Sequence, residues 1–282
     1  MGADQTKEAL REWRESAPYW RKHGPTIRAM FAPVTAALIE EAGIVSGQRV
    51  LDVAGGAGEP SLTIAEVVRP SGSVTCTDPI GAMVHAAEDE ARRRGLTNVH
   101  FCKCPADSLP FPDTSFDVVV SRLGVMFFPD PLAALREMLR VAKPATPLSF
   151  AVWGKSEDNP FSYVVTNVVS RYVQTPPPRA ATNDAFRYAE PGKLAGVLKE
   201  AGATKVRERL LKFYIEAPIS PEEFWMLRSE TSGTLRDKLT TLSKEQRDEI
   251  AREVLEAMRE FFPNNHLRIP AQMLIVTGHR LL

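Results

Sequence analysis

The chain has 282 residues, with 35 Lys+Arg balanced by 35 Asp+Glu. That length buries a core without disulfide or metal staples, and the neutral charge disfavours nucleic-acid binding through phosphate neutralisation. No apolar run approaches the roughly 20 residues of a membrane span, and the charged N-terminus lacks the apolar stretch of a secretory signal. The three cysteines, Cys76, Cys102 and Cys104, have no further Cys/His pair at metal-ligand spacing. An odd count fits free thiols in a reducing, cytoplasmic setting. The expectation is a metal-free monomer or homodimer with a small-molecule partner, no nucleic acid and no membrane span.

Residues 4–45 place apolar side chains at helical spacing, Leu10, Trp13 and Ala17 in one stripe and Ile27, Met30, Val34, Leu38 and Ile39 in a second. Two helices are predicted, broken near His23-Gly24-Pro25. Short apolar runs then alternate with amphipathic helices. Strands are expected at 48–53, 73–77, 98–103, 116–121 and 147–153, and helices at 60–68, 80–94 and 131–140. Pro60 suits a first helical turn, Gly95 a helix C-terminus, and Asp130-Pro131 an N-cap followed by N1. Continuous apolar strands alternating with helices predict a parallel sheet covered on both faces, an α/β doubly wound architecture.

The second half is less regular. Helices are expected at 159–173 and 191–201, a loop at the proline run 175–178, and strands at 205–215 and 271–279. Ser220-Pro221-Glu222-Glu223 and Ser243-Lys244-Glu245-Gln246 are capping boxes that open further helices. The two strands are expected to pair, with the 221–262 helices as a cap over the sheet's edge.

The informative stretch is Val50-Leu51-Asp52-Val53-Ala54-Gly55-Gly56-Ala57-Gly58. It places a glycine-rich turn beyond the carboxyl end of the first strand, where open α/β sheets bind ligands. A dinucleotide fingerprint fails here. Ser61 stands where the third small residue should be, and Glu59 would face a pyrophosphate at the helix N-terminus. A cationic, phosphate-free ligand removes that objection. Asp78 ends the second strand, where a carboxylate can accept both ribose hydroxyls. Asp107 follows the third strand, placed to accept an adenine amino group. Singly, Asp52, Asp78 and Asp107 could each be a cap or turn residue; in chain order behind a glycine loop they are more specific.

With these pieces the sequence resembles class I S-adenosylmethionine-dependent methyltransferases, in particular the ubiquinone/menaquinone-biosynthesis branch. The matching segments are VLDVAGGAG (50–58), CTDP (76–79), PADSLPFPDTSFDVVVS (105–121) and LREMLRVAKPATPLSFAVW (135–153). The resemblance implies a Rossmann-like, mostly parallel seven-stranded sheet with an antiparallel last strand and a helical cap. It divides the chain into an N-terminal lid (1–45), a cofactor-binding core (46–155) and the rest of the sheet (156–282), with cap insertions at about 156–190 and 218–263. The implied cofactor is S-adenosylmethionine, with S-adenosylhomocysteine as product. Asp52, Ala54 and Gly55 would shape the loop, Gly56, Gly58 and Ser121 would line the methionine moiety, and Asp78-Pro79 would hold the ribose. Ile80 and Met83 would pack on the adenine, with Ala106 and Asp107 at its edge. Ala54 replaces the first glycine of the family loop, which an alanine accepts at negative φ.

Transfer from a sulfonium releases a neutral thioether, so positioning carries the reaction and a base is needed only for a protonated nucleophile. His23 and Tyr19, at the hinge of the lid, are the catalytic candidates. Phe127, Trp153, Phe161, Phe224 and Trp225 would form an apolar pocket for an aromatic acceptor. The lid is expected to order when the pocket fills. Two other readings remain open: an NAD(P)-dependent oxidoreductase, for which no Tyr-x-x-x-Lys pair exists, and a non-catalytic nucleoside-binding module.

Overall fold

The computed structural model describes residues 3–173 and 184–281, with side chains from residue 10 onward. The proline loop expected at 175–178 lies outside the described residues. Three helices open the chain: α1 (Ala3–Lys22), α2 (Gly24–Met30) and α3 (Ala32–Ala42). The break at His23 falls where Gly24-Pro25 places it. The second break, at Phe31, splits what the apolar stripe presents as one helix. Pro33 causes it, because its ring fits only the first turn of α3 and it has no N–H to bond back across the junction.

The alternating region follows as β1 (Arg49–Val53), α4 (Ser61–Val68), β2 (Ser73–Asp78), α5 (Gly81–Arg93), β3 (Val99–Lys103), β4 (Val118–Arg122), α6 (Pro131–Val141) and β5 (Pro147–Trp153). Val118, Val119 and Val120 are fully buried, as a strand covered by helices on both faces requires. Gly95 closes α5 at φ 68, and the Asp130 carboxylate accepts the Ala133 amide at 2.9 Å to cap α6. The remainder runs α7 (Pro160–Val169), α8 (Lys193–Glu200), β6 (Thr204–Ala217), α9 (Pro221–Thr231), α10 (Gly233–Thr240), α11 (Lys244–Met258) and β7 (Leu267–His279). Both capping boxes form, at Ser220 with Glu223 and at Ser243 with Gln246.

The seven strands lie in the order β3-β2-β1-β4-β5-β7-β6. The first five are parallel, and β7 runs antiparallel to both β5 and β6. The pairing expected between 205–215 and 271–279 extends from Thr204↔His279 to Ala217↔Leu267. β7 therefore begins before Pro270, which reads in the sequence as a strand breaker. At Pro270 the strand has β6 on one side only, since β5 pairs with it from Met273 onward, and a proline is tolerated at such an edge. The helices at 221–258 do not cover the outer edge strand β6. α9 packs on α1, α10 and α11, and α11 packs on α7. Together they stand over the carboxyl ends of the parallel strands. Strand order reverses between β1 and β4, the switch point at which such sheets open a crevice. No helix among the described residues is long and apolar enough to cross a membrane.

Candidate functional site

The crevice begins with the turn after β1. A Cβ on Gly55 would lie 2.6 Å from Cys76 Sγ and 2.8 Å from Asp52 Oδ2, so close packing alone requires glycine there. Gly56 has open space around it but takes φ 56, so its conformation and not its volume requires glycine. Ala54 corrects the sequence reading, since it adopts φ 60 and not a negative value. An L-residue pays of order 1 kcal/mol for that region. Its methyl explains Gly124, just beyond β4: a Cβ on Gly124 would stand 2.7 Å from Ala54 Cβ and 2.7 Å from Ser121 Oγ. The ends of the two switch-point strands thus touch, with the cavity above them.

Two carboxylates support this turn in different ways, and a third lines the cavity beside it. Asp52 is fully buried, and Ser61 Oγ donates to its Oδ2 at 2.6 Å. Burial pushes its pKa to about 6 against the opposing effects of that hydrogen bond and the Arg122 charge. It fixes the start of α4 from below and does not face the cavity. Asp78 accepts the Gly56 amide at 3.1 Å and the Ile80 amide at 2.9 Å. Its carboxylate therefore ties the glycine turn to the start of α5 while lining the cavity. Burial raises its pKa to about 6, opposed by these two amides. Asp107 lines the same cavity and is exposed.

The cavity measures about 590 Å³, within the range of small-molecule sites. One half is lined by Ala54, Gly55, Gly56, Asp78, Pro79, Ile80, Met83, Ala106 and Asp107, all named by the sequence reading. The other half contains Phe127, Trp153 and Phe161, again as expected, with Phe31, Met126 and Phe128. Trp153 and Phe161 stack at 6.0 Å and 18°, and Phe31 meets both edge-on at 5.8 and 6.0 Å.

Several expected residues lie elsewhere. Gly58 packs under the turn, where a Cβ would meet Leu62 Cδ1 at 2.9 Å. Ser121 lies beneath Gly124, fully buried, with its Oγ lacking a partner. Phe224 is wedged in the core between Phe161 and Phe262, and Trp225, one position round α9, packs against the core outside the cavity. His23 and Tyr19 are also outside it. His23 Nε2 is 2.6 Å from Glu230 Oε2, and the Tyr19 ring lies under the Arg236 guanidinium at 5.1 Å. They join α1 to the α9–α10 cap.

The sequence reading missed residues on both sides. Leu10, Trp13 and Trp20 of α1 line the cavity, and with Ala17 they pack on Ile80 and Met83. Their helical stripe was the signal. Arg122 also lines it, donating through Nη1 to Thr35 Oγ1 at 2.8 Å and through Nη2 to the Glu59 carbonyl at 3.2 Å. A charge ending the apolar run VVVSR was the available clue. Arg228 of α9 lines the opposite wall; an arginine in a polar helix gave no signal. Glu59 lines the cavity as expected, but Arg94 Nη1 pairs with its Oε1 at 2.6 Å. Its repulsion of an anion is weaker than the sequence suggests.

Residues 35–167 match the ubiE/COQ5 methyltransferase family. The ubiquinone/menaquinone biosynthesis C-methyltransferase of Ectopseudomonas mendocina (strain ymp) is 36% identical over 151 residues, 53% of this chain and 59% of that protein. The chain thus spans about 59% of the length of this curated relative. Among solved structures, a SAM-dependent methyltransferase from Aquifex aeolicus superposes with a TM-score of 0.56 at 19% identity, covering 94% of this chain and 98% of that one. A phosphoethanolamine N-methyltransferase 2 from Haemonchus contortus, in complex with phosphomonomethylethanolamine and S-adenosylhomocysteine, gives 0.58 at 16% identity, covering 97% and 60%. At such identities these likenesses speak for the fold. The resemblance drawn from the motifs at 50–58, 76–79, 105–121 and 135–153 is borne out.

Proposed function

We propose that this chain, whose residues 35–167 match the ubiE/COQ5 methyltransferase family, transfers a methyl group from S-adenosylmethionine to a small apolar or aromatic molecule. One observation carries the reading. A single cavity joins the glycine turn and its two carboxylates, Asp78 and Asp107, to a wall of stacked aromatic rings.

The residues present fit the cofactor. Each Asp78 oxygen takes one backbone amide, leaving a lone pair on each for a ribose hydroxyl. Ile80 and Met83, buried with α1 residues over them, form an apolar slot for a base, and Asp107 stands at its edge. Gly56 leaves open space over the turn. When bound, S-adenosylmethionine supplies a methyl group on a positively charged sulfur. The chain orients the acceptor among Phe31, Trp153 and Phe161 and excludes water from it through α1 and α9. Positioning of this kind supplies much of the acceleration of an in-line displacement. No histidine lines the cavity among the described residues, and a base is required only where the acceptor's nucleophile starts protonated.

Calorimetry with S-adenosylmethionine, S-adenosylhomocysteine and NADPH tests the cofactor, and a methylation screen read by mass spectrometry tests the reaction. Binding of the two sulfur nucleosides without NADPH is expected. NADPH binding alone would overturn the reading in favour of an oxidoreductase. Cofactor binding with no product across a broad panel of aromatic acceptors would leave a nucleoside-binding module.

A further inference from the structure

We propose that Arg228 binds the carboxylate of an aromatic acid, so that the molecule held against the aromatic wall is an aryl carboxylate. The inference deepens the methyl-transfer reading by naming the acceptor class, and it rests on that reading only for calling this molecule the acceptor.

The two arginines of the cavity differ in their partners. Arg122 donates through both terminal nitrogens, to Thr35 and to the Glu59 carbonyl. The nearby charges of Glu59 and Asp52 oppose the effect of its burial. Arg228 has no such support. The Nε of both arginines is buried without a hydrogen-bond partner, but among the described residues Arg228 has neither a terminal-nitrogen hydrogen bond like those of Arg122 nor an ion pair with a carboxylate. Burial lowers its pKa to about 10, with no acidic group in opposition. The acid two residues along α9, Glu230, is engaged instead by Lys22 Nζ at 2.8 Å and His23 Nε2 at 2.6 Å. The next polar groups on that wall are also committed. Thr231 Oγ1 donates to the Leu227 carbonyl at 2.7 Å, and Ser232 Oγ accepts from Leu235 N at 3.3 Å.

A guanidinium taken out of water without a counter-charge costs stability. Among the described residues the guanidinium lies over the Phe161 ring, its central carbon 4.5 Å from the ring centroid. That ring stacks on Trp153. The structure therefore sets an uncommitted, planar, bidentate donor on the wall of the cavity, beside its aromatic cluster. A carboxylate matches the fork in shape and charge, and an attached ring would pack against the aromatic residues that line the same cavity.

The test uses 2-naphthoate and 2-naphthamide, which share a ring system and differ in charge. Each is titrated into the full chain by tryptophan fluorescence, with and without S-adenosylhomocysteine. The wild type is expected to bind the acid roughly tenfold or more tightly than the amide. Arg228→Gln should reduce the acid to the amide's affinity, leaving S-adenosylhomocysteine binding within about twofold. Arg228→Lys should keep part of the preference. Without ligand, Arg228→Gln should melt no lower than the wild type, since an unpaired charge is removed; a purely structural arginine would show the reverse. Equal wild-type affinity for acid and amide, undetectable binding of both at millimolar concentration, or a preference that survives in Arg228→Gln would overturn the proposal. Failure of S-adenosylhomocysteine to bind would instead remove the methyl-transfer reading, and the acid–amide comparison without it would still decide the role of Arg228.

Discussion

Asp78 anchors the glycine turn and is the proposed sugar acceptor, so its charge should be readable in binding as a function of pH. Burial raises its pKa from 3.8 to about 6. At ~1.4 kcal/mol per unit, ionising it in the empty fold costs about 3 kcal/mol. Because the folded value lies above the unfolded one, that penalty is present in full above about pH 6. It is relieved as pH falls toward about 4, so this group makes the empty protein more stable on acidification across that window. Ribose hydroxyls donating to the carboxylate would favour its ionised form and lower its pKa in the complex. Binding of S-adenosylhomocysteine should then release a proton near pH 5–6, with Kd weakening by up to about tenfold per pH unit below pH 6. Asp78→Asn keeps the shape, removes the charge and turns one acceptor into a donor. The loss of a charged hydrogen bond is worth about 1.5–3 kcal/mol, roughly 10- to 150-fold in Kd at pH 8. The variant's pH profile should be flat. Calorimetry in buffers of different ionisation enthalpy counts the proton directly. A wild-type Kd constant from pH 5 to 8, or a variant within twofold of wild type at pH 8, would refute the assignment.

Four further expectations concern the frame of the site. Gly124→Ala should destabilise the chain and weaken S-adenosylhomocysteine binding, because the added methyl meets Ala54 Cβ and Ser121 Oγ at 2.7 Å; adding Ala54→Gly should recover part of the loss, and additive urea midpoints would contradict the contact. Ala54→Gly alone should change stability by no more than about 1 kcal/mol, relief at positive φ being offset by glycine's entropy in the unfolded chain. Ser220→Ala, which removes the bond to the Glu223 amide, should cost about 1 kcal/mol by denaturant unfolding; an unchanged midpoint would show that α9 is held by packing alone. Since Leu10, Trp13 and Trp20 of α1 line the cavity, S-adenosylhomocysteine should slow tryptic cleavage at Arg11 and Arg14. Equal cleavage rates would exclude a lid role for α1.

What the sequence settled by itself was local chemistry. Unbroken apolar runs such as VVVS cannot face water on either side, so a helix-covered parallel sheet followed from them. The capping boxes at Ser220 and Ser243 and the caps at Asp130 and Gly95 are set by neighbours within four residues, and all formed as read. The positions of the glycine turn, Asp78 and Asp107 in the cavity were legible because they follow strand ends, which the hydrophobic pattern marks. What required the fold were contacts between segments distant in the chain. His23 faced Glu230 and not the cavity because α1 docks on α9. Phe224 entered the core while Arg228, one turn later, faced the aromatic wall. A helix places residues four apart on neighbouring positions, and nothing in its own sequence says which neighbour lies opposite. Ala54 likewise took a left-handed backbone because the closing of β1 on β4 dictates that turn, whichever residue occupies it.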